Sequence, residues 1–154
     1  MKISLIAVGK LKRGPERELV SDYIKRASRL GPSLGIREVK EVEIDAGGSQ
    51  EQECERILAK LADGARVILL DETGKARTST GFSEHLATLR DQGCSDLAFI
   101  IGGADGFTQA MKDAYKDKLS FGQLTWPHKL VRVLAAEQIY RALSLMAGTP
   151  YHRE

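Results

Sequence analysis

LSFGQLTWPHKLVRVLAAEQIYRALSLMA, Leu119 to Ala147, is the stretch whose reading decides the fold. Its first part, Leu119 to Trp126, is short and rich in β-compatible residues, and Pro127 then blocks both ladder pairing and helix for its neighbours. From Leu130 a helical pattern runs for about four turns without Gly or Pro. Leu130, Val131, Val133, Leu134, Ile139, Tyr140, Leu143, Leu145 and Met146 leave polar residues only a narrow stripe, chiefly Glu137, Arg141 and Ser144. A helix apolar over most of its circumference is buried on more than one side. One side is the chain's own sheet; the other is expected to be a second copy of the chain.

Upstream, Leu97 to Ile101 reads as a buried strand running straight into Gly102-Gly103-Ala104-Asp105-Gly106, and a helix carrying Phe107, Ala110, Met111, Ala114 and Tyr115 returns to Leu119. Arg66 to Leu70 is another buried strand, ending in Asp71 and followed by a polar loop, Glu72 to Thr78. Ser79 is expected to cap the next helix, with Phe82, Leu86 and Leu89 on one face and Gly93 at its end. In the first part of the chain, strand Ile3 to Val8 leads into a basic loop, Gly9-Lys10-Leu11-Lys12-Arg13-Gly14. Pro15 then stands at a first helical position, and Leu19, Val20, Tyr23, Ile24 and Ala27 form a stripe that Gly31-Pro32 ends. Val39, Val42 and Ile44 mark a strand with an exposed face whose alternation slips at Lys40-Glu41. Ser49 and Gln52 form a capping box for a helix through Ile57, Leu58 and Leu61, closed by Gly64. Strands alternating with helices of this length, without repeat or linker, give a single α/β domain, residues 1–154, with a mostly parallel sheet flanked by helices.

Composition narrows the function classes. The chain is 42% hydrophobic and 29% charged, which is ordinary for a soluble globular protein. The early apolar run Ile3 to Val8 is too short to span a membrane and lacks a signal-peptide pattern. Cys54 and Cys94 have no metal spacing and point to a reducing, cytoplasmic compartment. A net charge of +2 is too small to argue nucleic-acid binding, so that case rests on clusters: Lys10, Lys12 and Arg13 in one loop, Lys75 and Arg77 in another.

In open parallel sheets, ligands sit beyond the carboxyl ends of the strands. Leu70-Asp71, Gly102 to Gly106, and Ser120 to Pro127 are the segments there. The glycine segment is neither GxGxxG nor a P-loop, and a bare strand-to-helix turn would look much the same. The histidines form no metal set: His85 lies mid-helix as a surface residue, His128 follows Pro127, and His152 is in the tail Pro150-Tyr151-His152-Arg153-Glu154. Tails normally fray, yet an aromatic, an imidazole and a guanidinium together suit stacking on a base and holding a phosphate.

LDETGK (Leu70 to Lys75), IGGADG (Ile101 to Gly106), LTWPHKLVRVLAAEQIYRA (Leu124 to Ala142) and terminal PYHRE, with AVGKLK at Ala7 to Lys12, together resemble the RlmH family of small SPOUT-class ribosomal RNA methyltransferases. The resemblance spans the whole chain. It implies a carboxyl-terminal trefoil knot, which connection rules alone would argue against. It further implies a homodimer, S-adenosylmethionine as cofactor, and methylation of N3 of a pseudouridine in 23S rRNA of the assembled ribosome. The cofactor positions that carry over are Leu70, Gly103, Phe121, Gly122, Gln123, Leu124, Thr125 and Trp126.

Methyl transfer needs an in-line approach to the activated methyl, and the N3 proton must leave, helped by a general base. His152 is the first candidate for that base, with His128 behind it. Tyr151, Arg153 and Arg141 are candidates for positioning, although Arg141 can equally pair with Glu137 at i−4. Two other classes stay open: a nucleotide- or flavin-binding oxidoreductase, against which the missing GxGxxG weighs, and a non-catalytic ribosome-binding dimer.

Overall fold

A computed structural model of the chain describes residues 1–153. Its centre is a sheet of β1 (Lys2–Val8), β2 (Glu38–Ile44), β3 (Arg66–Ala76), β4 (Asp96–Ile101) and β5 (Lys118–Ser120), in the order β2-β1-β4-β3-β5. Every pairing is parallel. The helices are α1 (Pro15–Leu30), α2 (Gln50–Leu58), α3 (Ser79–Asp91), α4 (Gln109–Ala114) and α5 (His128–Ala147).

Because successive strand residues point to opposite faces, an apolar run buries itself twice. Ile3, Leu5, Leu97 and Phe99 face α1, α3 and α5, where Phe82 meets Phe99 edge-on at 5.7 Å. Ile6, Val67, Leu69 and Ile100 face α2 and α4 through Cys54, Ile57 and Met111. The capping box at Ser49 and Gln52 is present, and Pro15 opens α1 as its spacing predicts.

Several boundaries differ from the sequence reading. Thr78, not Ser79, caps α3, accepting from Gly81 N at 3.0 Å. Helix α2 ends at Leu58, before Leu61 and Gly64, and α4 begins only after the Thr108 cap, leaving Phe107 outside it. Helix α5 starts at His128, because the Pro127 carbonyl already accepts from Val131 N at 3.0 Å. The apparent slip in β2 is no slip. Glu41 and Glu43 share the face of Val39, and they hold an inward position because arginines meet them there.

The polar loop after Asp71 is largely strand. Leu70 and Lys75 both register with Leu119, so the bulge between them curls around that residue. Asp71 shapes the bulge by accepting from the amide (2.8 Å) and the hydroxyl of Thr73. A Cβ on Gly74 would lie 2.7 Å from the Leu119 backbone, so only glycine fits there. Strand β5 itself is short, and Phe121 to Pro127 leave the sheet as loop.

Candidate active site

The bulge of β3 and the carboxyl ends of β4 and β5 converge on a cleft of about 390 Å³, within the range that holds small ligands. All the residues carried over as cofactor positions line it except Gln123, which is exposed. Leu70, Ile101, Phe107, Leu119, Phe121 and Val131 make apolar walls, while Asp71, Glu72, Asp105, Lys112 and His128 bring charge or polarity. The Lys112 ammonium stands 3.6 Å from the Asp71 carboxylate. Burial works against ionisation of Asp71, but the Thr73 bonds and the charges of Lys112 and Lys118 outweigh it and hold the carboxyl below its ordinary range.

The β4–α4 loop is held from below by the first turns of α2. Gln50 donates to the Asp105 carbonyl at 2.6 Å. Glu53, only 8% exposed, accepts from Gly47 N at 3.0 Å. A Cβ at Gly103 would sit 2.6 Å from the Glu53 carboxylate, so the bare backbone at Gly103 is what lets the loop lie on α2. A bulky residue at 103 would therefore disturb α2 as well as the cleft.

The tail residues form a separate cluster on α5 and α1. Glu137 Oε1 accepts from Arg141 Nε (2.9 Å), Arg141 Nη2 (2.5 Å) and the Tyr151 hydroxyl (3.0 Å). Tyr151 packs edge-on against Tyr140 at 4.7 Å, and the Arg141 guanidinium lies 4.9 Å from the centre of the Tyr151 ring. Arg141 Nη1 reaches His152 Nδ1 at 3.2 Å. Burial and the contacts with Tyr23 and Glu137 keep the Tyr151 phenol protonated well above its usual range. So Tyr151, His152 and Arg141 are brought together, Arg141 does make its i−4 pair, and Arg153 stays exposed. Glu154, the last residue of the PYHRE motif, lies outside the described residues.

At the other end of α5 stands a residue the sequence reading passed over. Arg132 is 5% exposed on a helix counted as apolar there. It donates to Glu43 (2.7 Å), Glu41 (3.2 Å) and the Gly9 carbonyl (2.9 Å). Glu43 in turn accepts from Leu11 N at 2.7 Å, so the basic loop is pinned while Lys12 and Arg13 point outward. Unpaired charges on the inward face of β2 were the signal for it. Leu143, one of the apolar residues of that helix, is fully buried in the chain's own core. His85 is no free surface residue either: its Nε2 lies 3.1 Å from Asp117, tying α3 to the start of β5.

A family model described as "Predicted SPOUT methyltransferase" matches residues 1–152. The chain belongs to the SPOUT methyltransferases. Within them it falls in the RlmH group. The protein named ribosomal RNA large subunit methyltransferase H of Hyphomonas neptunium is 48% identical over 153 residues, covering 99% of each chain. Its namesake from Dinoroseobacter shibae is 48% identical over 155 residues, again 99% of each. A more distant likeness is the methyltransferase Lpg2936 of Legionella pneumophila, solved with bound SAM, at 15% identity and TM-score 0.43 over 95% of this chain and 66% of that one.

This SPOUT chain has no helix long and apolar enough to cross a membrane, among the described residues. Nor do those residues hold a cluster of three or more His, Cys, Asp or Glu that could bind a metal ion.

Proposed function

We propose that this chain transfers a methyl group from S-adenosylmethionine to N3 of a pseudouridine in the 23S rRNA of the assembled ribosome, acting as a cytoplasmic homodimer. The observation that carries this reading is the convergence of the β3 bulge and the ends of β4 and β5 on one cleft suited to that cofactor. The cofactor, when bound, supplies an electrophilic methyl on a sulfonium. Leu70, Leu119, Phe121 and Val131 would exclude water around it, and the peptide groups of Gly103, Phe121, Gly122, Leu124, Thr125 and Trp126 would meet the adenine edges. Asp71 and Lys112 offer opposite charges to its amino-acid end. The curated relatives, matched over nearly their whole length, support ribosomal RNA as the substrate class. The family match over residues 1–152 supports the trefoil knot.

A separation within one protomer supports the homodimer. Val131 lines the cleft, whereas Arg141 anchors the tail, and the helix between them rises about 15 Å. A protomer thus keeps its cofactor cleft and its tail at opposite ends of α5. A two-fold axis across α5 would bring one protomer's tail to the other's cleft, through an isologous contact. Exposed Leu124 (72%), Trp126 and Leu130 beside the cleft provide apolar surface for such a contact.

The test is methyl transfer from isotopically labelled S-adenosylmethionine to ribosomes lacking the modification, followed by digestion and mass spectrometry of the nucleosides. Label on N3 of a single pseudouridine is expected. A protein that binds the cofactor yet leaves ribosomal pseudouridine unmodified would overturn the substrate assignment.

A further inference from the structure

The tail was expected to contribute a base, and its geometry argues otherwise. A guanidinium only donates, so at 3.2 Å from Arg141 Nη1 the Nδ1 of His152 must accept. The proton of the neutral ring is then on Nε2. That Nε2 is closed off from solvent and has no hydrogen-bond partner among the described residues. A buried donor without an acceptor is costly, by roughly 1–3 kcal/mol, and such groups call for an explanation.

Among the described residues the surrounding groups offer no alternative base. Glu137 is taken up by Arg141, Gln138 and the Tyr151 hydroxyl. Tyr151 is itself a donor to Glu137, with Tyr23 of α1 at 3.4 Å on its other side. Arg26 of α1 lies over the Tyr23 and Tyr140 rings, and neither it nor Arg153 can accept a proton.

We propose that the tail is a donor set rather than a base: His152 gives a hydrogen bond from Nε2–H to a carbonyl oxygen flanking N3 of the target base. This rests on the N3-methylation and paired-protomer reading above. A uracil-type base that loses its N3 proton spreads the negative charge onto its two carbonyl oxygens. A fixed donor at one of them stabilises that anion in the way an oxyanion hole does. The N3–H bond breaks with its electron pair left on nitrogen, and the proton passes to solvent. Nitrogen then bonds to the methyl carbon as the carbon–sulfur bond breaks, its pair going to sulfur. The anion and the sulfonium both end neutral. Docking of the base must open the cover over Nε2.

Two measurements on the full-length protein test this. First, kcat/KM of the wild type on ribosomes should keep rising above pH 8, because ionisation of N3 supplies the nucleophile. A base with the titration of an ordinary imidazole would instead give a plateau above about pH 7. Second, His152→Gln, whose amide N–H replaces the ring donor, should stay within about tenfold of wild type, whereas His152→Ala should fall on the order of 10²–10³-fold. Both variants are compared at equal S-adenosylmethionine affinity and equal sedimentation coefficient. A plateau in the wild-type profile, or equal loss in Gln and Ala variants that still bind cofactor and sediment as wild type, overturns the donor assignment. A wild type that labels no pseudouridine N3 at any pH fails the underlying reading instead.

Discussion

Arg132 Nη1 stands 2.7 Å from Glu43 Oε2, joining the first turns of the long helix α5 to the edge strand β2 and, through Glu43, to the backbone of the basic loop. The pair is shielded, since the Arg132 side chain is almost wholly buried, and Glu41 and Arg17 complete the network. Buried ion pairs contribute little net stability against an apolar replacement, yet removing one partner leaves the other charge uncompensated. Arg132→Met should therefore cost up to about 3–5 kcal/mol, because Arg17 alone is then left to balance two carboxylates. Urea unfolding measures it, and a midpoint unchanged from wild type would show that the network relaxes at no cost.

The same network gives stability a pH dependence of known sign. Burial alone would raise the Glu43 carboxyl, but the bond from Leu11 N and the arginines Arg132 and Arg17 outweigh it and hold the carboxyl below its ordinary range. A carboxyl depressed in the folded state stabilises the fold above its unfolded pKa, and the contribution is lost as pH falls through the folded value. Urea midpoints should thus drop on acidification below about pH 4, where unfolded carboxylates begin to bind protons. Glu43→Gln should already be destabilised at pH 7 and show a shallower drop. An equally steep drop in the variant would assign the acid sensitivity to other groups such as Asp71.

What could be read from the chain before its structure follows from how local each signal is. The strands β1, β3 and β4 declare themselves because both of their faces are buried, so the apolar run is continuous. Pro15 and the Ser49–Gln52 box carry their own stereochemistry. By contrast, Lys75 and Ala76 are strand only because Leu119 and Ser120, far along the chain, pair with them. Glu41 spoils an alternation that Arg132, still further away, restores. Likewise, the cleft residues were legible as strand ends, while Glu53 beneath Gly103 was not, since a glutamate in a first helical turn reads as a solvated one.

That hidden contact predicts suppression between two sites. Gly103→Ala places a methyl 2.6 Å from the Glu53 carboxylate, which must give up its bond from Gly47 N or push the loop off α2, and S-adenosylmethionine binding should weaken by up to about tenfold. Adding Glu53→Ala removes the obstacle, so the double variant should bind more tightly than Gly103→Ala alone. Calorimetric titration of wild type, both singles and the double gives the coupling. Additive losses would mean that the two residues do not meet. NADH and FMN in the same cell should give no heat.

Lys10, Lys12 and Arg13 stand on a loop whose backbone is fixed by Glu43 and Arg132, with Lys10 only loosely paired to Asp45 at 3.4 Å. If they grip phosphates, removing all three charges should weaken ribosome binding and flatten its salt dependence by about one unit for each phosphate no longer neutralised. Cofactor affinity should stay the same. A triple alanine variant that binds ribosomes with the wild-type salt slope would leave the loop as a solvated turn.

The separation of cleft and tail along α5 can be tested by mixing two disabled proteins. Gly103→Val spoils the cleft but leaves the tail intact; His152→Ala with Arg153→Ala spoils the tail without removing Tyr151, whose ring packs on Tyr140 and whose hydroxyl holds Glu137. Each should be nearly inactive alone and still dimeric by sedimentation. After subunit exchange at equal amounts, half of the dimers are mixed, and each mixed dimer has one intact cleft facing one intact tail. Activity should then recover to roughly a quarter of wild type, as an isologous interface requires when each site draws on both protomers. Were cleft and tail of the same protomer to work together, no mixed dimer could contain a whole site, and mixing would restore nothing.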